Sequence, residues 1–103
     1  MPVKALVKVY PKEEYSKEEF INGWLNEIAP RMKKLPHIQR YIINIIKSTN
    51  ENINYQGTAE MYFNSLQELY DDFASPEGRE AEIYVTKYFE KFTTTITEEY
   101  QIL

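Results

Sequence analysis

Glu60 is the residue of this chain whose position best suits acid–base chemistry. It lies in the middle of segment 57–63, in which small or apolar side chains alternate with polar ones. A carboxylate in such a strand must face water, a cation or a cavity. Lys8, Tyr10 and Tyr62 fall on the same side of the predicted sheet in their own alternations. We therefore expect Glu60 to be the base or polariser of a ligand that Lys8, Tyr10 and Tyr62 bind and orient.

A structural interpretation of the same residues stays open beside the chemical one. The strand that carries Lys8 should neighbour the strand that carries Glu60. Opposite charges on neighbouring strands commonly stabilise a sheet. A cross-strand Lys8–Glu60 ion pair would need no ligand to explain either residue.

Trp24, Tyr41 and His37 are the remaining candidates. Trp24 lies on the apolar stripe of a predicted helix, which favours packing, although its indole N–H still needs an acceptor. Tyr41 lies on a strand and can bind a ligand or pack at an interface. His37, the only histidine, follows Pro36 in a turn, and we expect a surface residue because acid–base work needs an oriented partner. Asp71-Asp72 is interpreted as solvated surface.

Composition excludes several classes of function. The chain has 103 residues, which predicts one domain over residues 1–103. It has no cysteine, one histidine and dispersed carboxylates, so we predict no metal site and no cofactor. A net charge of −4 argues against nucleic acid. The sequence shows no signal-peptide pattern and no apolar run of about 20 residues, so we expect a cytoplasmic protein that does not bind membranes.

Helix and strand signals are strong along the chain. Ser16 with Glu19 and Ser65 with Glu68 form capping boxes, and Ser75 before a proline predicts a third helix start. Pro30 predicts a kink or a break in the first helix. Alternating or β-branched-rich segments predict strands over 3–10, 38–47, 57–63 and 92–100.

The order β, α, β, β, α, β predicts an α+β, ferredoxin-like fold with a four-stranded antiparallel sheet. Right-handed crossovers place both helical segments on one face of that sheet. The purely apolar strand positions should face the helices, which leaves the other face uncovered, with Leu6, Tyr10 and Tyr62 on it. We expect this face to pair with a second copy, enclosing a central cavity lined by Lys8, Tyr10, Glu60 and Tyr62.

Nearly the whole chain resembles the EthD-like family of the dimeric α/β-barrel superfamily. The resemblance rests on several stretches taken together: Val9-Tyr10-Pro11, Trp24-Leu25, Ala29-Pro30, Leu35-Pro36 followed by Tyr41, the segment 57–65, the segment 73–78, and Thr97-Glu98-Glu99. It implies a ferredoxin-like fold, a homodimer and a small, often aromatic ligand. It also implies cofactor-free oxidation, cyclisation or isomerisation where members are enzymes. Family members commonly carry a histidine where this chain has Ile28, so no proton-transfer role transfers to that position.

Two functions follow as expectations. The first is a homodimer that binds a small apolar or aromatic metabolite and, where it is an enzyme, is a cofactor-free oxidoreductase or isomerase/cyclase, with Glu60 as catalytic residue and Lys8, Tyr10, Trp24, Tyr41 and Tyr62 as ligand-binding residues. The alternative is a non-catalytic dimeric interaction module whose interior is filled by its own side chains. A cavity of about 300 Å³ or more lined by Lys8, Glu60 and tyrosines favours the first, whereas a collapsed, dry interior favours the second.

Overall fold

The computed structural model describes residues 2–103 and contains the predicted α+β fold. One antiparallel sheet has the strand order β2-β3-β1-β4. The strands are β1 (Val3–Pro11), β2 (Arg40–Ile45), β3 (Gly57–Phe63) and β4 (Phe89–Thr97). The helices are α1 (Lys17–Gly23), α2 (Ala29–Met32), α3 (Leu66–Ala74) and α4 (Pro76–Tyr88), and a π-helical turn (Trp24–Ile28) joins α1 to α2. The ferredoxin-like order is thereby confirmed.

The helix starts follow from the predicted caps, with one difference. At α1 the capping box is complete: the Glu19 N–H donates to Ser16 Oγ at 3.1 Å, and the Ser16 N–H donates to Glu19 Oε1 at 2.9 Å. At α3 only half of the box forms, because Ser65 Oγ accepts the Glu68 N–H but the Glu68 side chain does not reach back. Ser75 caps α4, with proline as its first residue.

Pro30 does not break the first helical segment. Proline lacks an N–H and crowds the carbonyl four residues back, so a regular α-turn cannot pass through it unchanged. Instead, the helix widens just before Pro30, where the Ala29 N–H donates to the carbonyl of Trp24, five residues earlier. A π-helical turn therefore absorbs the proline, and α2 continues to Met32.

Period-2 alternation divides the sheet into a core face and an open face. Ala5 and Val9 of β1 are fully buried against the helices, together with Phe63 of β3. Strand β2 is apolar on both faces, so its sequence alone does not show which side chains face the helices. The register with β3 does: Tyr41 pairs with Met61 and therefore lies on the core face. The open face carries the alternate residues, Lys4, Leu6, Lys8 and Tyr10 of β1, Thr58, Glu60 and Tyr62 of β3, and Arg40, Ile42 and Asn44 of β2.

The ends of two strands differ from the sequence prediction. β4 begins at Phe89, three residues earlier than predicted, because the chain enters the strand directly from the last residue of α4. β2 is shorter than the predicted 38–47. Within residues 2–103, no helix has both the length and the apolar content needed to cross a membrane.

We predict that Ser16→Ala lowers the free energy of unfolding by about 0.5–2 kcal/mol, because the α1 N-terminus loses its side-chain acceptor. Urea unfolding followed by circular dichroism measures this. Ser48→Ala is the matched control, since Ser48 lies exposed outside the helices and strands; its effect should stay within about 0.5 kcal/mol. Equal effects of both substitutions would contradict the prediction.

Candidate ligand-binding cavity

A cavity of about 420 Å³ lies between the sheet and the helices. Its sheet wall is Ala5, Val7, Val9, Ala59 and Met61, and its helix wall includes Ile28, Met32, Leu69, Ala81 and Val85. Its exposed lining residues form the mouth: Tyr70, Phe73, Glu82, Thr86, Phe92 and Thr94. The volume falls in the range of small-molecule sites, about 300–1,000 Å³, which are mostly apolar with a few placed polar groups.

Tyr41 brings a polar group to this apolar cavity. It lies on the core face of β2 and lines the cavity wall. Its Oη accepts a hydrogen bond from Trp24 Nε1 at 2.9 Å. Burial raises the pKa of the Tyr41 phenol to about 12, against a smaller opposite effect of the bond from Trp24. The phenol is therefore neutral at physiological pH and keeps its proton.

Trp24 is held rigidly behind Tyr41. It is fully buried and packs against Phe20 and Phe89 with ring centroids 5.7 and 5.3 Å away. Gly57 gives the indole its space, because a Cβ at this position would lie 2.8 Å from Trp24 Cζ3 and 2.6 Å from the backbone oxygen of Asn44. Trp24 thus does not line the cavity but fixes the residue that does.

Ile28 also lines the cavity and is almost fully buried. This is the position at which the family resemblance leads one to expect a histidine. The only carboxylate among the lining residues is Glu82, at the mouth. Away from the mouth, the side chains that line the cavity are therefore apolar, apart from Tyr41.

The predicted Lys8–Glu60 ion pair is wrong; Lys4 takes that place. Glu60 lies opposite Leu6, so Lys4 and Lys8 are its two diagonal neighbours on β1. Strand twist makes two such diagonals unequal. Lys4 Nζ lies 2.5 Å from Glu60 Oε1. Sequence alternation places all three residues on one face but cannot choose between the diagonals.

Lys4 and Glu60 belong to a larger polar network. Lys4 Nζ also lies 2.8 Å from Glu99 Oε2, and Tyr62 donates its hydroxyl proton to the same carboxylate at 2.9 Å. Asn44 Nδ2 donates to Glu60 Oε2 at 2.8 Å. The bonds from Lys4 and Asn44 lower the pKa of Glu60. Glu60 is thus an ion-paired carboxylate with both oxygens engaged.

Lys8 and Tyr10 form a separate cluster at the other end of the open face. Lys8 Nζ lies 5.2 Å above the ring of Tyr55, which meets the ring of Tyr10 edge-on at 5.8 Å. Lys91 covers Tyr10 at 4.6 Å. None of Lys8, Tyr10, Glu60 and Tyr62 lines the cavity, whereas Tyr41 does. A second site between two open faces needs a second copy, and the roles of these four residues there stay predictions.

His37 is exposed, as the sequence predicts, but it has an oriented partner that the sequence interpretation did not include. Asp72, read as solvated, is fully buried on α3. Its Oδ2 accepts the His37 backbone N–H at 2.8 Å, and its Oδ1 lies 2.6 Å from His37 Nδ1. The bond to Asp72 raises the pKa of His37. One feature of the sequence could have indicated that Asp72 is buried: it follows Leu69 by three residues, so it lies next to the apolar stripe of the helix. Neither residue lines the cavity.

We predict a pH-dependent contribution of His37 to stability. A raised pKa in the folded state gives stability that is fully present below the unfolded pKa of about 6.5 and is lost as pH rises through the folded value. The stability difference between wild type and His37→Gln should therefore be larger at about pH 5.5 than at about pH 8.5. Thermal unfolding at both pH values measures it.

Gln39→Ala is the control for that experiment, because its amide bonds only the backbone oxygen of His37. Its effect should not change with pH. A His37→Gln difference that is constant, or that grows with pH, would contradict the assigned ion pair.

Comparison with known proteins places the chain among proteins of similar fold. A family model described as EthD domain matches residues 12–95. A solved EthD-family protein from Bacillus halodurans superposes with TM-score 0.83 at 22% identity, covering 97% of this chain and 100% of that one. No curated protein matches the chain.

Two further structures share the fold. A hydroxynitrile lyase from Passiflora edulis gives TM-score 0.80 at 14% identity, with 99% of this chain and 96% of that chain covered. A dimeric protein of unknown function with a ferredoxin-like fold from Bacteroides fragilis gives 0.74 at 17% identity, covering 95% and 96%. At these identities the similarity establishes the fold alone.

Proposed function

This chain belongs to the EthD family, and we propose that it is a homodimer that binds a small, largely apolar or aromatic metabolite in the cavity of each protomer. The observation that carries the proposal is the cavity itself. A volume of about 420 Å³ between the sheet and the helices, open to solvent at its mouth, exceeds the 300 Å³ expected of a ligand site.

The shape and chemistry of the walls support this ligand class. Protein cores are normally packed as densely as organic crystals, and an unfilled apolar volume forfeits contacts among its lining atoms. A ligand with an apolar body would restore those contacts. A strongly charged ligand would be desolvated against carbon without a partner, which is costly. The walls therefore select for apolar molecules with few polar groups.

Any chemistry in this cavity would be of the cofactor-free type. A cofactor-independent oxygenase from Streptomyces nogalater shares the fold, with TM-score 0.72 at 11% identity, which supports this proposal at the level of fold only. Glu60 as catalytic residue is a proposal for the opposite face, where its bond to Lys4 makes it a weak base. Experiments can distinguish a site in the cavity from a site on the open face.

We predict that Val85→Phe weakens binding of an aromatic probe such as 1-naphthol by at least about tenfold, because the larger side chain fills the cavity that Val85 lines. Ile83→Phe is the matched control: Ile83 lies two residues away on α4, is 64% exposed and does not line the cavity. Isothermal titration calorimetry measures both.

Glu60→Gln completes this experiment. If the cavity is the site, the Glu60→Gln variant binds the probe with the same affinity as wild type. A loss of binding with Glu60→Gln but not with Val85→Phe would move the site to the open face. Absence of binding by wild type to any apolar probe would favour the non-catalytic interaction module.

The open face supports the homodimer. Leu6 lies at the centre of the open face and is 37% exposed. It pairs with Glu60 on β3, which in turn pairs with Ile42 on β2. A second copy related by a two-fold axis would cover this face with the same face of its own. The dimeric ferredoxin-like protein from Bacteroides fragilis has the same fold.

We predict that Leu6→Glu raises the dimer dissociation constant by at least about tenfold, because it buries a carboxylate at the interface. Leu25→Glu is the control, since Leu25 is similarly exposed, at 46%, but belongs to the helix layer. Sedimentation equilibrium should show wild type and Leu25→Glu as dimers. A wild-type chain that is monomeric at micromolar concentration would refute the dimer.

A further inference from the structure

We infer that Tyr41 orients the ligand by donating its phenolic proton to it, and that the ligand carries a hydrogen-bond-accepting oxygen, such as a carbonyl or ether oxygen, where it meets Tyr41. This inference rests on the proposed function, because it concerns the same cavity. It names the ligand class, an apolar molecule with one acceptor oxygen, and the residue that recognises it.

The first step is the hydrogen-bonding capacity of the Tyr41 hydroxyl. A phenol has one proton to donate and lone pairs that accept. The Trp24 N–H occupies an acceptor site at 2.9 Å. Trp24 Nε1 has no proton acceptor function, so the Tyr41 proton cannot point back along that bond. Among residues 2–103, Trp24 is the one hydrogen-bond partner of the Tyr41 hydroxyl.

The second step is the direction in which that proton is available. Tyr41 lines the cavity, whereas Trp24 lies behind it in the core. A donor that is buried without an acceptor costs free energy, and a ligand oxygen would remove that cost. Accepting a bond from Trp24 also strengthens the hydroxyl as a donor, because chained hydrogen bonds polarise one another.

The third step is specificity. The inner walls are carbon, and the neutral phenol contributes one donor there. A hydrocarbon of the same shape leaves that donor unpaired, and a ligand cation is repelled by its positive end. The net contribution of one hydrogen bond corresponds to about 3- to 10-fold in affinity, so the site should prefer an acceptor-bearing molecule over its hydrocarbon analogue by about this factor.

Trp24 is a positioning residue in this scheme. It does not line the cavity, but its N–H fixes the phenol orientation. Its own orientation follows from the π-helical turn and from the space left by Gly57. Replacing Trp24 by Phe should retain most of the packing but remove the N–H.

The test uses two probes with one skeleton, the hydrocarbon tetralin and the ketone α-tetralone. The readout is the ratio of their affinities, measured by titration calorimetry. In Tyr41→Phe the preference for the ketone should fall about 3- to 10-fold relative to wild type, with tetralin affinity nearly unchanged. Trp24→Phe should lower the same ratio in part. Tyr84→Phe is the matched control: Tyr84 is half-buried on α4 but does not line the cavity, so this variant should keep the wild-type ratio.

A spectroscopic measurement on the wild-type protein needs no variant. The carbonyl stretch of bound α-tetralone should lie at lower frequency than in an alkane solvent, because the Tyr41 O–H donates to it. An unshifted stretch would overturn the inference even where Tyr41→Phe fails to fold.

The outcomes separate the two proposals. If wild type binds neither probe, the proposed binding function fails. If it binds both and Tyr41→Phe leaves the affinity ratio unchanged, or Tyr84→Phe lowers the ratio by as much as Tyr41→Phe, the inference about Tyr41 fails and the binding function stands.

Discussion

The packing of Trp24 between the helices and the sheet is the constraint on which the rest of the site depends. The indole is fully buried, contacts the rings of Phe20 and Phe89, and bonds the hydroxyl of Tyr41. A polar N–H at this depth must be satisfied, and Tyr41 is the residue that satisfies it. The same contact ties the first helical segment to the edge strand β2. Trp24 therefore links the π-helical turn, the packing of the core and the cavity wall.

Pro30 acts on this arrangement from a distance. It lies in α2 and follows the π-helical turn that begins at Trp24. This π-helical turn holds one residue more than an α-helical turn, so it rotates the side chains that follow it relative to a regular α-helix. Ile28 and Met32 reach the cavity wall after this rotation. The proline thus influences which side chains meet the sheet, without ending the helix.

The fold could be predicted from sequence because its signals are local. The Ser16 capping box and the β1 alternation depend on residues within a few positions of one another, and both form as expected. The features that were missed depend on residues far apart in sequence. The choice of Lys4 over Lys8 follows from sheet twist, and the partner of His37 lies 35 residues away on α3. Tyr41 could be named as a candidate, but its face required the register of β2.

The polar groups of this chain differ in how completely they are satisfied, and this difference separates structural from functional assignments. Both oxygens of Asp72 and both oxygens of Glu60 have partners within the chain. Such groups explain their own presence through stability. The hydroxyl of Tyr41 accepts one bond and retains a proton at the wall of a cavity large enough for a ligand. The sequence directed attention to the charged residues of the open face, whereas the unfinished hydrogen bonding lies on the apolar side, with a neutral phenol. The proposed recognition therefore needs no charge inside the cavity: the apolar body of the ligand supplies the packing, and one ligand oxygen accepts the proton of Tyr41.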